Sequence, residues 1–550
     1  MRNLKRALSL AVASVMLIGM MVVGTGASYA DVTSEENQEA IEVLQAVGIM
    51  TGDDEGNFNP DQNVTRNEMA VIMCNLMDYT VSSYAGTAPF TDVPSWAEPY
   101  VAACWTHSIT GGTSATTYGG DDPVTTSQAA LMLMKALGYF QYQSDFGSDW
   151  QVATVSKGSQ IGIFDDIDTA AAEALTRNDV AQMVLNALET PMVDATGDGG
   201  TTIIGDGFEI TTGSATYEER TSSNSTYGRI TNEQSEYGDD RYTVQLGEDL
   251  YDGDLRKDSD EDGFGRPATR WTYNNSEIGT YADSADNEIV MDDNGNTVTE
   301  AVTDSDYLNY SDRDVLDDAV VWFNGYNMGE YADLADDDSV IAAGDIVQAY
   351  EDDDGDVETI VVIRYVAAEI DEIDEDLSST YTNRGASYAI TLTEVDSASI
   401  PSGPFYDEYE NDSDMVMKGF AASTYTEGTV LAVAFEYDGD SDAYADVVLD
   451  SYVAGEMTTS SYTDDYVVAD GTRYYYAIEV DGVTPDSATY NSDDDYVIYT
   501  TSEGYAIAVV GAGLADLEDV YYITGTYGSN ASYGTDSYYV QAINVMTGVA

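Results

Sequence analysis

Two arginines, Arg66 and Arg177, are the residues whose type and position most clearly indicate chemistry. The chain has 19 basic residues against 101 acidic ones, yet these two cations occupy the same position in two similar helix starts. In the first turn of a helix an arginine faces the positive end of the helix dipole, which is unfavourable without a compensating anion. A carboxylate ligand, held by the guanidinium fork and by free N–H groups of the helix start, would supply that anion. A salt bridge to one of the many nearby acids is the alternative explanation.

Three predicted helix starts share a threonine that is followed three residues later by an acid or an amide. They read Val64-Thr65-Arg66-Asn67-Glu68, Val124-Thr125-Thr126-Ser127-Gln128 and Leu175-Thr176-Arg177-Asn178-Asp179. In a capping box the threonine side chain accepts from the backbone N–H three residues on, while the acid or amide accepts from the threonine N–H. The pattern therefore predicts capped helices at all three places, with Asp179 as a shorter variant, and an internal repeat of module size.

Helical periodicity surrounds these starts from residue 31 to about residue 190. The clearest apolar stripe falls at positions i, i+3, i+4 and i+7 of one helix face, at Met69, Ile72, Met73 and Leu76. Upstream, a looser stripe ends at Gly48, a residue suited to the C-terminus of a helix. The sequence predicts a helix, a glycine-rich loop and a second helix, three times over.

Motifs in this region resemble the signature of the S-layer homology (SLH) repeat. They are Gly48-Ile49-Met50-Thr51-Gly52, Gly56-Asn57-Phe58-Asn59-Pro60 and Thr65-Arg66-Asn67-Glu68, then Phe90-Thr91-Asp92-Val93-Pro94-Ser95-Trp96-Ala97, then Gly162-Ile163-Phe164 and Leu175-Thr176-Arg177-Asn178-Asp179-Val180-Ala181. The resemblance covers residues 31–190 and divides them into repeat 1 (31–85), repeat 2 (86–141) and repeat 3 (142–190).

The resemblance implies a three-pronged helical spindle that binds a secondary cell-wall polysaccharide, commonly one with a pyruvate ketal on an amino sugar. In that family the arginine of the Thr-Arg-x-Glu motif contacts the pyruvate carboxylate, which assigns this role to Arg66 and Arg177. The same sites are expected to include the matching motif residues Glu68, Asp179, Gly48 and Gly52.

Two of the repeats depart from the family pattern. Repeat 1 lacks the usual Phe-x-Asp opening, and repeat 2 has Thr126 in place of the arginine and Ser108 in place of a helix-ending glycine. The groove of repeat 2 is therefore expected to be weakened or silent, which leaves at most two anion pockets.

The formal charge of −82 restricts the partners of the chain. Nucleic acids and anionic membranes are excluded, because affinity for phosphate comes from Lys and Arg. A dispersed soluble surface, calcium-dependent assembly and a salty habitat would each explain the acidity. The hydrophobic share of 43% is too high for a disordered acidic chain, so the acidic surface must cover folded cores.

The first thirty residues have the pattern of a secretory leader. A positive region contains Arg2, Lys5 and Arg6, an apolar run follows from residue 8 to residue 23, and cleavage is predicted before Asp31. No later stretch has the length of a transmembrane helix. The chain is therefore expected to be secreted and held at a cell wall, that of a Gram-positive bacterium, by a folded binding domain.

Beyond residue 190 the composition shifts to Gly, Asp, Thr and Tyr with short apolar runs, which predicts β-structure with many turns. Two similar strand–turn–strand patterns begin at Gly344 and Gly428, and a truncated third copy is predicted near Asp519. The predicted fold is thus multidomain α+β, with tandem sandwich-like β domains after the spindle. The predicted parts are a linker at 191–226, a β-rich domain at 227–317, β modules at 318–400 and 401–485, and a partial module at 486–550.

One acidic segment, residues 258–263, has the spacing of a calcium loop. Asp258, Asp260 and Asp262 are the candidate calcium ligands, since Ca²⁺ takes carboxylate oxygens. The twelfth position is Thr269 rather than the bidentate Glu of a complete loop, so an ordinary acidic turn is the alternative explanation.

Cysteine and histidine are rare. Cys74 and Cys104 lie in apolar helical stretches, where two buried thiols or a disulfide are both compatible with an exported protein. His107, the single histidine, falls in repeat 2, which excludes histidine-dependent triads and multi-histidine zinc sites from the β region.

The sequence therefore predicts a structural protein rather than an enzyme: a wall-anchored surface-layer protein that binds pyruvylated polysaccharide and self-associates through its β modules. An anchored adhesin or glycan-binding protein is the first alternative. An anchored hydrolase is the second, because paired carboxylates for glycoside cleavage cannot be told apart from the acidic background.

Overall fold

The computed structural model divides the chain into two compact units. Unit 1 comprises residues 1–285, 374–389 and 417–424, and unit 2 comprises residues 286–373, 390–416 and 425–550. The structure describes residues 29, 31–32, 37–53, 56–196, 202–205, 208–211, 216–223, 227–230, 241–292, 297–305, 307–310, 316, 318–334, 341–352, 355–374, 389–394, 415–416, 426–435, 449–459, 461–462, 466–469, 471–477, 496–511, 521–529 and 537–544.

Unit 1 begins with helices that follow the predicted helix–loop–helix pattern. They are α1 (Gln38–Ala46), α2 (Arg66–Leu76), α3 (Glu98–Thr106), α4 (Thr126–Ala136), α5 (Trp150–Gln160) and α6 (Arg177–Glu189), with short 3-10 turns at Val81–Ser83 and Gln143–Phe146. Helix α3 packs on α2, α5 packs on α4, and α1 packs on α6. The last of these pairs joins the beginning of repeat 1 to the end of repeat 3. The apolar faces of all the helices meet in one core.

Helices α2, α4 and α6 begin at the predicted caps. Glu68 Oε2 accepts from the Thr65 N–H at 2.7 Å, and Thr65 Oγ1 accepts from the Glu68 N–H at 3.3 Å. Thr176 Oγ1 accepts from the Asp179 N–H at 3.1 Å. At α4 the reciprocal bond, from the Thr125 N–H to the Gln128 side chain, is longer at 3.4 Å. The capping prediction is confirmed at α2 and α6. At α4 the helix begins at the predicted Thr125, but the Gln128 N–H donates to the Thr125 carbonyl at 2.9 Å rather than to its side chain.

A closed ring of backbone hydrogen bonds joins the three repeats at the residue before each cap. The Val64 N–H donates to the Leu175 carbonyl at 3.0 Å, Leu175 donates to Val124 at 3.1 Å, and Val124 donates to Val64 at 2.8 Å. All three side chains are buried. Because buried backbone donors and acceptors need partners, each repeat depends on the other two at this point.

The chain after α6 folds back onto the helices. It forms strand pairs β1 (Val193–Ala195) with β4 (Tyr217–Glu219), β2 (Thr202–Gly205) with β3 (Phe208–Thr211) and β5 (Thr221–Ser222) with β6 (Tyr242–Thr243), then helix α7 (Leu246–Tyr251). Tyr217 contacts the junction of repeats 2 and 3, because its hydroxyl donates to Asp145 at 2.5 Å and accepts from the Gln141 N–H at 2.9 Å.

An antiparallel sheet then packs against α1. Its strands are β7 (Leu255–Glu261), β8 (Pro267–Tyr273) and β9 (Ser276–Ala282). Trp271 is fully buried and donates from Nε1 to Glu39 at 2.5 Å, while the Tyr281 hydroxyl donates to Glu42 at 2.7 Å. Both aromatic side chains belong to the core formed by the helices. We call this contact the α1–sheet interface.

Two carboxyl groups lie in the α1–sheet interface, where Glu42 is buried and Glu39 is partly buried. Burial raises the pKa of Glu39 to about 7, although the Trp271 hydrogen bond and the charge of Lys257 oppose this rise. The negative charges of Glu189 and Asp283 contribute to this rise in the pKa of Glu39, and Lys257 is itself paired with Glu189 at 2.8 Å. Burial also raises the pKa of Glu42.

Unit 2 consists mainly of small sheets. The first sheet has the order β10-β13-β14-β11-β12, from strands β10 (Asn287–Val290), β11 (Val320–Phe323), β12 (Tyr326–Glu330), β13 (Ile346–Glu351) and β14 (Val357–Ile363), with helix α8 (Val298–Thr303) and a 3-10 turn at Tyr331–Asp333. Its pairings are antiparallel except that β11 runs parallel to β14.

Further sheets follow along the chain of unit 2. One has the order β17-β16-β15-β18-β19, from β15 (Val366–Asp374), β16 (Ala389–Glu394), β17 (Met415–Val416), β18 (Val430–Phe435) and β19 (Leu449–Val453). The next strands are β20 (Gly455–Thr459), β21 (Ser461–Tyr462), β22 (Tyr466–Ala469), β23 (Thr472–Tyr475), β24 (Tyr496–Thr500), β25 (Ala506–Gly511), β26 (Tyr521–Ser529) and β27 (Ser537–Asn544), in sheets β20-β24-β25, β21-β22-β23 and β26-β27.

The predicted strand–turn–strand repeat is present in unit 2. Hairpins β13–β14 and β18–β19 are antiparallel, and an earlier strand, β10 or β15, pairs with the first strand of each. Strands β24–β25 with β20 repeat this arrangement at residues 496–511, while the predicted truncated copy near Asp519 stays a prediction, since Asp519 lies outside the described residues. This hairpin has Glu503-Gly504 between its strands, whereas the pattern predicted from the sequence used an Asp-Gly pair, so the hairpin was missed.

The mixed α+β class is confirmed. Among the described residues, no helix is both long enough and apolar enough to cross a bilayer. The predicted leader lies outside the described residues except for Tyr29, whose side chain is buried in the core of repeat 1.

We expect the α1–sheet interface to make stability depend on pH. The native state holds the Glu39 proton up to about pH 7, whereas the unfolded chain releases it near its ordinary pKa of 4.5. The native state therefore binds more protons between these values, so the free energy of unfolding falls as the pH rises through this window. Glu39→Gln keeps an acceptor for Trp271 and should remove this part of the slope.

Urea unfolding of the full chain at a series of pH values measures the effect. Glu218→Gln, an exposed carboxylate on β4, is the matched control and should leave the slope as in the natural chain. An unchanged slope in Glu39→Gln would contradict the assignment.

Candidate functional site

Each start of α2, α4 and α6 is inserted against a loop of another repeat. Two consecutive backbone N–H groups of each helix donate to two loop carbonyls, in the same way three times. The bonds are Arg66 to Asp122 and Asn67 to Gly120, Thr126 to Glu173 and Ser127 to Ala171, and Arg177 to Gln62 and Asn178 to Pro60, at 2.8–3.1 Å. Repeat 1 thus docks on repeat 2, repeat 2 on repeat 3, and repeat 3 on repeat 1.

This docking overturns one expectation about anion binding. Free N–H groups at the helix start were expected to hold a carboxylate, but loop carbonyls occupy the first two, and the cap side chain occupies the next at α2 and α6. Any anion bound at these places must therefore be held by side chains.

Arg66 is buried between repeat 1 and repeat 2. Its guanidinium stacks on the Tyr118 ring at 4.7 Å, and 9% of the residue is exposed. Nη2 donates to the Gly111 carbonyl at 2.9 Å, Nε to the Tyr118 carbonyl at 3.3 Å and Nη1 to Gln128 Oε1 at 3.3 Å. All three nitrogens of this guanidinium are therefore engaged within the protein.

Arg177 occupies the equivalent position between repeat 3 and repeat 1. Its guanidinium stacks on the buried Phe58 ring at 4.6 Å, Nε donates to the Phe58 carbonyl at 2.7 Å and Nη2 to the Thr51 carbonyl at 3.0 Å. Among the described residues, Nη1 has no hydrogen-bond partner, and the side chain is half-buried. Burial lowers the pKa of Arg177, and the charges of nearby acids such as Glu68 oppose this change.

Thr126 takes the place of the arginine between repeat 2 and repeat 3. Its hydroxyl donates to the Ala170 carbonyl at 3.0 Å and lies 3.4 Å from the Thr169 carbonyl. The threonine thus makes the loop contact without a cation, and the weakened or silent groove of repeat 2 stays a prediction. At Ser108, where a glycine was expected, the backbone has φ +61°, and Lys135 Nζ donates to the Ser108 carbonyl at 2.7 Å.

The other predicted site residues have roles in local structure. Glu68 and Asp179 cap their helices, and Thr169 Oγ1 also donates to Asp179 at 2.8 Å. Gly48 ends α1 with φ +77°, a left-handed conformation that favours glycine. At Gly52 a Cβ atom would lie 2.3 Å from the Tyr29 ring. Gly52 thus allows close packing at the base of the groove that contains Arg177.

An aromatic-x-Asp opening of repeat 1 was missed in the sequence. Asp31 accepts from the backbone N–H groups of Phe58 and Asn59 at 2.7 and 2.6 Å, as Asp92 does from those of Tyr118 and Gly119 at 2.8 Å each. Tyr29 packs on Phe58 at 5.5 Å, as Phe90 packs on Tyr118 at 5.4 Å. A tyrosine in place of the usual phenylalanine, next to the predicted cleavage point, concealed this opening.

The candidate calcium ligands are not arranged as a calcium loop. Asp258 and Asp260 lie on strand β7 and face Arg270, while Asp262 begins a turn in which it pairs with Arg266. Asp262 Oδ1 also accepts from the N–H groups of Phe264 and Arg266 at 3.0 and 2.9 Å. Over the part of the chain that the structure describes, no three acidic, histidine or cysteine side chains form a group that could hold a metal ion.

Comparison with known proteins gives the family. The model of the S-layer homology domain matches residues 28–70 and 89–130, which lie in repeats 1 and 2. A cell surface protein of Thermoanaerobacter kivui is 24% identical over 201 residues, 35% of this chain and 26% of that protein. The surface-layer 125 kDa protein of Lysinibacillus sphaericus is 34% identical over 101 residues, 18% of this chain and 8% of that protein.

An endoglucanase of Bacillus sp. (strain KSM-635) is also similar, 30% identical over 119 residues, 20% of this chain and 13% of that protein. The chain spans about a quarter or less of the length of these relatives. The matched residues include the helix start at Arg66 and both aromatic-x-Asp openings. The chain therefore contains an S-layer homology (SLH) domain and is similar to cell-wall-associated surface proteins of bacteria.

Proposed function

We propose that repeats 1 to 3 form a three-pronged spindle that anchors the chain non-covalently to the wall of a Gram-positive bacterium by binding a pyruvylated secondary cell-wall polysaccharide. The family match supports this for repeats 1 and 2. The ring of hydrogen bonds at Val64, Val124 and Leu175, and the threefold docking of helix starts, support including repeat 3.

The observation that carries the proposal is the state of Arg177. Two carbonyls and the Phe58 ring already fix its guanidinium, so little conformational freedom is lost when a ligand binds. A pyruvate carboxylate that reaches Nη1 gains a charge-assisted hydrogen bond at a half-buried cation. The groove between repeat 3 and repeat 1 is thus the principal polymer site.

Arg66 has a different role in this proposal. Its nitrogens are occupied by repeat 2, and its ring contact with Tyr118 is buried. It holds repeat 1 on repeat 2 and contributes to polymer binding mainly by keeping the spindle closed.

The β-sheets of unit 2 are proposed to join neighbouring copies into a surface coat. Support comes from relatives that are themselves named surface-layer proteins. The similarity to an endoglucanase favours an anchored hydrolase as the second candidate, although that match covers 20% of this chain.

We expect Arg177→Ala to weaken binding of the full chain to wall sacculi by about tenfold or more, because the cation that pairs with the carboxylate is lost. Arg177→Lys should recover part of the affinity, since it keeps the charge without the planar fork. Arg220→Ala removes a cation elsewhere in unit 1 and is the control for net charge. Equal binding by Arg177→Ala and the natural chain, or equal binding to sacculi stripped of pyruvate, would refute the site.

Arg66→Ala should reduce stability more than Arg177→Ala does. Loss of the buried guanidinium leaves the Gly111 and Tyr118 carbonyls without their donors, at a cost of about 2–4 kcal/mol in the free energy of unfolding. For the more exposed Arg177 the cost should be about 1–2 kcal/mol. Urea unfolding of the two variants makes the comparison, and the reverse order would show that the roles are assigned the wrong way round.

Deletion of the gene tests the coat. A periodic surface layer that disappears from electron micrographs of the deletion strain is the expected result. An intact layer, with this chain sparse on the natural cell surface, would favour the adhesin. Release of sugars from wall or plant glycans by the purified chain would favour the hydrolase.

A further inference from the structure

The two cysteines of the chain meet in the core of the anchoring region. Cys74 lies on α2 of repeat 1 and Cys104 on α3 of repeat 2, and their Sγ atoms are 3.6 Å apart. Both residues are buried, with 2% and 0% of their surface exposed. Each thiol also donates a hydrogen bond to a backbone carbonyl, Cys74 to Tyr100 at 3.4 Å and Cys104 to Ala70 at 3.5 Å.

Each cysteine occupies a position that has an equivalent in the other two helix pairs. Cys74 lies nine residues after the cap Thr65, where α4 and α6 have Met134 and Leu185. The Cys104 carbonyl accepts from the Ile109 N–H, and Leu44 and Gly158 make the same bond to Ile49 and Ile163. The two thiols therefore lie at equivalent positions of the α3–α2 pair alone. At these positions the α1–α6 pair has Leu44 with Leu185, and the α5–α4 pair has Gly158 with Met134.

We propose that Cys74 and Cys104 are a modification site, at which the two thiols are oxidised to a disulfide that links repeat 1 to repeat 2 in the exported chain. This inference rests on the proposed function, because a chain anchored at the cell wall is exported and so meets an oxidant. Because the sulfur atoms are 3.6 Å apart, formation of a bond about 2 Å long needs them to approach by about 1.5 Å.

The reaction is a thiol–disulfide exchange with an oxidant in the disulfide form, either a small-molecule disulfide or an exported oxidoreductase. One thiolate attacks a sulfur of the oxidant and forms a mixed disulfide, and the second thiolate displaces the oxidant from it. The protein loses two protons and two electrons, and the oxidant leaves as two thiols.

The bond is expected to form before the core closes. The hydrogen bond with Cys74, together with burial, raises the pKa of the Cys104 thiol in the folded chain. Thiolate is the attacking form, so the folded and reduced pair is nearly inert. Once formed, the disulfide restricts the unfolded chain and raises the unfolding temperature, on the order of 5–10 °C.

The test begins with the purified, reduced full chain, which is unfolded and then refolded with oxidised glutathione. Iodoacetamide in denaturant without reductant, followed by peptide mapping, should show a Cys74–Cys104 cross-link and no alkylated cysteine. Cys104→Ala should carry glutathione on Cys74, which shows that the oxidant was active. Cys74→Ala/Cys104→Ala should unfold at the same temperature with and without reductant, unlike the natural chain.

Two alkylated or two glutathione-bearing cysteines in the refolded natural chain would overturn the proposal. The chain recovered from the cell surface should give the same cross-linked peptides, and two alkylated thiols there would overturn the proposal for the natural protein. Either failure would leave polymer binding by Arg177 unaffected, because that property is measured by the sacculus assay.

Discussion

The ring of backbone hydrogen bonds at Val64, Val124 and Leu175 is the constraint on which the structure of repeats 1 to 3 depends. It places the first residues of three helices beside one another, and each start then lies against the loop of another repeat. The capping threonines, the loop carbonyls and both guanidinium groups take their positions from this arrangement. The possible binding grooves lie between repeats, so no single repeat contains one.

The docking contact accepts different side chains. The same pair of backbone bonds forms whether the first helical residue is Arg66, Thr126 or Arg177. The side chain at this position decides which hydrogen-bond donors remain for a ligand. All three guanidinium nitrogens of Arg66 are bonded to repeat 2, and the Thr126 hydroxyl donates to a loop carbonyl. Arg177 keeps one nitrogen unbonded within the described residues. The three grooves can thus differ in their capacity to bind a ligand while the packing between the repeats stays the same.

Local sequence was sufficient to predict those features that depend on residues close together in the chain. The caps at Thr65 and Thr176 depend on residues three positions apart, so spacing alone predicted them. The hydrogen bonds of the helix-start N–H groups depend on loops far along the chain, such as Asp122 for Arg66 and Gln62 for Arg177, and helical periodicity does not predict such contacts. Tyr29 shows a related limit, because its part in the repeat is visible only through the bond of Asp31 to the loop at Phe58.

The α1–sheet interface could not be predicted from sequence patterns either, because it joins residues that are far apart in the chain. Glu39 and Glu42 read as ordinary charges of an amphipathic helix, and their burial depends on Trp271 and Tyr281, more than 200 residues away. The acidic triplet beginning at Asp258 was misread because spacing cannot show that arginines on the adjoining strand and turn neutralise it.

The pairing of α1 with α6 has a consequence for how the anchor is assembled. In an open solenoid each new repeat can settle on the one before it, and stability grows from neighbour to neighbour. Here α1, the first helix of the described residues, packs on α6 at the end of repeat 3, so the array of repeats is closed. During synthesis from the N- to the C-terminus, α1 must remain without this partner until nearly all of repeats 1 to 3 are present.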